Sequence, residues 1–212
     1  MNDRKLLIAG GVVVALLILA GALYFLQGED LASKAKSDNP KDRLAAAEGL
    51  GERSDAESVS TLKDLTRSDN LRVAVRAVQS LGEKRSKEKR RILEEIVRSE
   101  KRGKVAGEAA ATLGNYDDLQ PKVLTAVLNS PQADAEARAG AAKGLSRLRK
   151  KESVPSLVAA LTDPDPKVRL WAITAIYQTT KMRFLFNASK PPSTQSQRIE
   201  FIRSELKHQG FL

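Results

Sequence analysis

A large aliphatic residue recurs at Leu50, Leu81, Leu113, Leu145 and Ile176, at intervals of 31, 32, 32 and 31 residues. A fixed period of this length marks a repeat architecture, in which each unit buries its apolar face only by stacking on the next. Four positions before each anchor stands alanine, at Ala46, Ala77, Ala109, Ala141 and Ala172, and the position after that alanine is always apolar. The residue directly before the anchor is always small, as Gly49, Ser80, Thr112, Gly144 and Ala175. Offsets of three and four with a constant small residue describe one face of a helix that another helix approaches closely.

Ahead of each such helix a hydroxyl residue keeps the same rhythm: Ser37, Ser68, Ser99, Ser130 and Thr162. These read as turn or cap residues, and prolines at Pro40, Pro131, Pro164 and Pro166 break one helix and begin the next. Gly51, Gly82 and Gly114 follow the anchor, where a left-handed residue ends a helix. A second helix fills the rest of each unit, with Val59, Leu62 and Leu65, then Ile92, Leu93 and Ile96, then Val123, Leu124, Val127 and Leu128, then Val154, Leu157, Val158 and Leu161 at helical offsets. The expected fold is therefore all-α, an α-α solenoid of about five two-helix repeats. Composition agrees: 42% of residues are hydrophobic but only 4% aromatic, so the core must be Ala, Leu, Val and Ile, which suits close-packed helices better than a sheet.

The repeat resembles the short HEAT-like repeats first recognised in phycobilisome lyase subunits, whose signature runs D-x-D-P-x-V-R-x-x-A-A-x-A-L-G. Its nearest copy is Asp163-Pro164-Asp165-Pro166-Lys167-Val168-Arg169, leading to Ala172, Ile173, Ala175 and Ile176. The first repeat keeps Asp38, Pro40, Arg43, Ala46, Ala47, Leu50 and Gly51. Ala74 and Ala106 stand where the family places its arginine, and Tyr177 where it places glycine. The resemblance covers residues 37–180 and implies an architecture that serves many partners.

From Leu6 to Leu26 no charged or strongly polar side chain occurs, a length that spans the hydrocarbon of a bilayer as a helix. The expected organisation is a short tail at 1–5, one transmembrane helix at 6–26, a linker at 27–36, the HEAT-like repeat domain at 37–180 and a capping segment at 181–212. With that helix the chain resembles a membrane-anchored bacterial HEAT repeat protein. A cleaved leader competes, because Ala20-Gly21-Ala22 has small residues at a signal-peptidase spacing, but the apolar run continues past it to Leu26. Arg4 and Lys5 before the run and the acidic pair after it favour a single-pass protein of the bacterial inner membrane with the repeat domain outside the cytoplasm. Lys34, Lys36, Lys41 and Arg43 argue the other way.

Chemistry is sparse. Cysteine is absent, which excludes disulfides, thiolate metal sites and a cysteine nucleophile. The single histidine, His208, has no second histidine to share a metal. Ser33-x-x-Lys36 and Ser86-x-x-Lys89 carry a serine-lysine spacing without its companion motifs, so no enzyme and no cofactor are expected. What remains is a surface. Lys84, Arg85, Lys87, Lys89, Arg90 and Arg91 form one basic cluster, and Arg147, Arg149, Lys150 and Lys151 form another at the equivalent inter-helix turn two repeats on. A basic edge on a chain of formal charge +10 fits a polyanion, such as anionic lipid or nucleic acid, although neither cluster contains an aromatic residue to stack on bases, which argues against nucleic acid. The leading expectation is a membrane-tethered scaffold that binds a protein partner on its repeat surface, with polyanion binding as the alternative. A lyase subunit is a third reading, suggested only by the first-named members of the repeat family.

Overall fold

The computed structural model describes residues 19–23, 26, 27 and 30–212. Helices α1 (Pro40–Gly51), α2 (Ala56–Leu65), α3 (Leu71–Ser80), α4 (Lys87–Ser99) and α5 (Gly103–Leu113) build the first half of a two-layer stack. Helices α6 (Lys122–Leu128), α7 (Ala135–Leu148), α8 (Val154–Ala159), α9 (Pro166–Thr180) and α10 (Ser196–His208) build the second, and no strand occurs among the described residues. The odd-numbered helices pack on one another in order, α1 on α3, α3 on α5, α5 on α7 and α7 on α9. The even-numbered helices form the parallel row from α2 to α8, and α10 joins its end against α8. This is a helical solenoid of two-helix repeats.

The repeating sequence positions occupy the seam between the layers. Ala46, Ala77, Ala109, Ala141 and Ala172 are all fully buried, as are Leu81, Leu113, Leu145 and Ile176, with Leu50 at 1% exposure. Alanine is required there because the neighbouring odd helix crosses at that level, and any longer side chain would hold the two backbones apart.

The hydroxyl residues close turns, while the helix caps stand further on. Asn39, Asn70, Asp134 and Asp165 accept the first free N–H groups of α1, α3, α7 and α9. Ser37 and Ser68 accept the Asn39 and Asn70 N–H groups through their hydroxyls. In α2 the cap is Asp55, which accepts from Ser58 N at 3.0 Å and Ser58 Oγ at 2.9 Å. Burial raises its pKa, but those bonds and the Arg53 guanidinium outweigh it and bring the carboxyl down to about 2.

Two expectations are corrected. The glycines after the anchors are not left-handed: Gly114 has φ −61°, and the non-glycine residues with positive φ among the described residues are Arg149 and Lys181, which end α7 and α9. Close approach explains the glycines instead. A Cβ on Gly82 would run into Thr112 Cγ2, and one on Gly114 would stand 2.6 Å from Gly144 Cα, each in the next repeat.

The transmembrane helix, and the single-pass inner-membrane location built on it, are also corrected. Among the described residues no helix is long and apolar enough to cross a membrane. Most of the apolar run 6–26 lies outside the described residues. The charged Asp30 and Lys34, paired at 2.6 Å, keep the described helix that follows the run from adding apolar length, and the apolar helix among the described residues falls short of the roughly 20 residues a crossing needs.

Residues 181–191 lie without helix beside α9. They are pinned by Arg169, which donates to the carbonyls of Ala188 at 2.9 Å and Lys190 at 3.3 Å, and by the buried Gln195 side chain, which exchanges two hydrogen bonds with the Asn187 backbone.

Candidate interaction surface

Successive repeats are tied together at both edges by side chains that complete hydrogen bonds the helices cannot make internally. The last carbonyls of a helix have no intrahelical partner. Here the next repeat supplies donors at the odd-to-even turns. Lys89 Nζ donates to Gly51 O at 2.7 Å, Tyr116 Oη to Leu81 O at 2.9 Å, and Arg147 Nη1 to Ala111 O at 2.6 Å. Burial pushes the Tyr116 phenol up to about 12, and burial pushes the Lys89 ammonium down, although Glu83 and Glu52 resist that shift.

The opposite edge uses arginine. In the fourth repeat Arg138 grips Asp163 of the fifth through both carboxylate oxygens, at 2.7 and 3.0 Å, and donates to Ala133 O at 2.5 Å. In the fifth, Arg169 donates to Asp163 O and Pro164 O at 2.6 and 2.8 Å. The third repeat has Ala106 at that register, and Arg102 takes over the role from the helix start. It donates to Thr66 O and Ser68 O, at the turn that joins the first two repeats, both at 2.8 Å, while Glu100 orients it at 2.7 Å.

This bracing decides what the sequence-predicted basic residues present. Lys89 is fully buried. Arg85 donates to Asn115 O and lies 3.5 Å from Asp117, and Arg90 is 2.6 Å from Asp118 and 3.5 Å from Glu94. Arg147 donates to Asn115 Oδ1 at 3.2 Å, so the two basic clusters meet at Asn115. Lys84, Lys87, Arg91, Arg149, Lys150 and Lys151 have no carboxylate within ion-pair distance among the described residues, and Lys151 lies 5.5 Å over the Phe211 ring.

A groove opens on the other edge, between the third and fourth repeats, with a volume of about 1070 Å³. Its floor is made of small side chains, with Gly103, Ala106 and Ala137 below and Val97, Val123 and Val127 along the walls. It exists because α6 has seven residues where α4 has 13. Pro121 at its start and Pro131 just past its end confine α6 between them, which is the sequence signal that points to this groove. The exposed Ala126 looks into it, and Lys101 and Lys122 stand on its rim without a carboxylate partner among the described residues. No group of His, Asp and Glu able to hold a metal ion occurs among the described residues.

Comparison with known proteins follows the same lines. The family model described as HEAT repeats matches residues 28–114 and 121–184, and its gap falls on the stretch where Asn115 and Tyr116 join neighbouring repeats. The solved complex of CpcE and CpcF of phycocyanin lyase from Nostoc sp. PCC7120 is similar in fold, with a TM-score of 0.56 and 18% identity over 73% of this chain. The chain spans 65% of that structure's chain. The crystal structure of an engineered protein, structural genomics target OR329, aligns at a TM-score of 0.44 and 21% identity over 72% of this chain and 79% of that one. No curated protein matches the chain. The HEAT repeat model accounts for well over half of the sequence, and the chain belongs to the HEAT repeat family.

Proposed function

We propose that this protein is a non-enzymatic scaffold that holds a protein partner in the groove between its third and fourth repeats. The groove itself carries the reading: a floor of Ala and Gly beneath valine walls accepts a backbone and small apolar side chains, and Lys101, Lys122 and Asp134 line it to hold polar groups of the partner. The similar fold from Nostoc is named as one half of a two-protein complex, which is consistent with this use of the surface. The buried titratable groups support it too. Lys89 and Tyr116 each donate to a backbone carbonyl of the preceding repeat, so both have a structural role in joining repeats.

The absence of cysteine makes the test direct. A photo-crosslinker attached to Ala126→Cys should capture a discrete partner, whereas the same label on Glu57→Cys, on the exposed face of α2, should capture only background. Ala126→Arg fills the groove from an exposed position and should reduce capture by about tenfold or more with unchanged helicity. Equal capture from both labelled positions overturns the reading.

One observation favours polyanion binding as a second reading: the two basic clusters converge at Asn115, with six cations free of carboxylates among the described residues. Against it, Asp117 and Asp118 neutralise the centre of that edge. If the reading holds, binding to anionic vesicles or duplex nucleic acid falls steeply between about 50 and 200 mM salt. It should also vanish in the combined Arg91→Glu, Lys150→Glu and Lys151→Glu variant. Salt-insensitive binding, or none, removes it.

A further inference from the structure

The closing layer of a solenoid ordinarily turns a polar face to water. Here that face carries an apolar patch. Leu185 is 86% exposed and Phe201 61%, and the Phe184 and Phe201 rings meet edge to face at 6.5 Å and 79°. Together with Ile202 they form an apolar cleft of about 470 Å³, large enough for two or three side chains. The cleft is held rigidly. Arg169 and Gln195 clamp the extended segment that carries Phe184 and Leu185, and α10 carries Phe201 beside its buried face of Ile199, Ile202 and Leu206.

Two arginines flank it, and among the described residues neither is held by a carboxylate. Arg183 lies 5.4 Å over the Tyr177 ring, and Arg198 donates only a long 3.4 Å bond to Leu185 O. Neither has a carboxylate within ion-pair distance among the described residues, whereas Arg85, Arg90, Arg102 and Arg138 all do. Residues 181–212 carry six Lys and Arg against Glu200 and Glu205, and Glu200 is held by Arg203 at 2.8 Å. An apolar cleft beside two unneutralised guanidinium groups calls for leucine or phenylalanine next to carboxylates.

We infer that this end of the stack is a second docking site, separate from the groove, which binds an acidic amphipathic segment of a partner protein. The apolar side chains of that segment enter between Leu185 and Phe201, and its carboxylates pair with Arg183 and Arg198. An anionic membrane is the poorer fit: of the six basic residues in this segment only Arg183 and Arg198 line the cleft, whereas recognition of a bilayer surface draws on clusters of roughly four to eight.

Selection of a random-peptide display library on the full chain tests the inference without a known partner. Enriched peptides should combine Leu or Phe with Asp or Glu within one helical turn. Phe201→Ser should weaken their binding by about tenfold or more while lowering the melting temperature by only a few degrees, since the ring is mostly exposed and loses only its contact with Phe184. The double variant Arg183→Glu with Arg198→Glu should switch the preference to basic peptides. Ala126→Arg should leave the selection untouched, which separates this site from the groove. Any of four results overturns the inference: no enrichment, enrichment without acidic residues, binding unaffected by Phe201→Ser, or self-association of the chain that Phe201→Ser abolishes.

Discussion

Replacing Gly140 by valine is expected to destabilise the stack by roughly 4 kcal/mol, beyond the ~1–3 kcal/mol usual for an overfilled core. A Cβ at this position would stand 2.5 Å from Gly107 Cα and closer still to its carbonyl oxygen. The reciprocal site is as tight, because a Cβ on Gly107 would meet the Glu136 carbonyl. These are backbone atoms, which cannot rotate aside as a side chain end does, so α5 and α7 must separate along their whole contact. At about 2–4 °C per kcal/mol for a chain of this size, thermal unfolding followed by circular dichroism should show a loss on the order of 10 °C. Gly49→Ala is the matched control, since its Cβ would touch only the ends of the Leu31 side chain. The gain in helix propensity there, about 1 kcal/mol, should offset the adjustment and leave the melting temperature nearly unchanged.

Lys89 separates two contributions that a single deletion would merge. Lys89→Ala removes a fully buried aliphatic stem and the ammonium that bonds Gly51 O, and should cost about 3 kcal/mol in urea unfolding. Lys89→Met keeps most of the volume and leaves Gly51 O the Lys84 N–H at 3.4 Å, so its cost should stay within about 1 kcal/mol. The pH dependence follows from the direction of the shift. With the folded-state pKa below the unfolded one, the charged form opposes folding at neutral pH, and that penalty fades as pH rises through the folded value towards 10.5. Stability on the alkaline side should therefore rise relative to Lys89→Met. If the two variants lose equal stability, the carbonyl bond and not the stem dominates.

The architecture was legible because its signal is periodic: anchor, alanine and small residue return every 31 or 32 positions, and the buried seam uses those residues. The glycines were misread because a left-handed turn and a close backbone approach both demand glycine, and the neighbour that decides between them lies about 30 residues away in sequence. The basic clusters summed charge along the chain, whereas their neutralising partners Asp117 and Asp118 arrive from the next repeat. Lys89 could have been separated from its cluster by phase alone, since it stands three, four and seven positions before Ile92, Leu93 and Ile96 on one helix face. The apolar run 6–26 was weighed by hydropathy, and the described residues contain no membrane-crossing helix to match it. The terminal cleft had a signal in Phe184, Leu185 and Phe186, but only the path of residues 181–191 decides that Leu185 faces water while Phe186 packs partly against the core.

The glycine contact between α5 and α7 also sets how the molecule yields to load. Elsewhere odd helices are separated by side chains that slide and change rotamer, so a solenoid of this kind bends and twists like a spring. Where two backbones touch there is no such compliance, and the third and fourth repeats move as one stiff coil. Tension applied across the chain would be taken up first in the outer repeats, and the groove would keep its width while the ends give way.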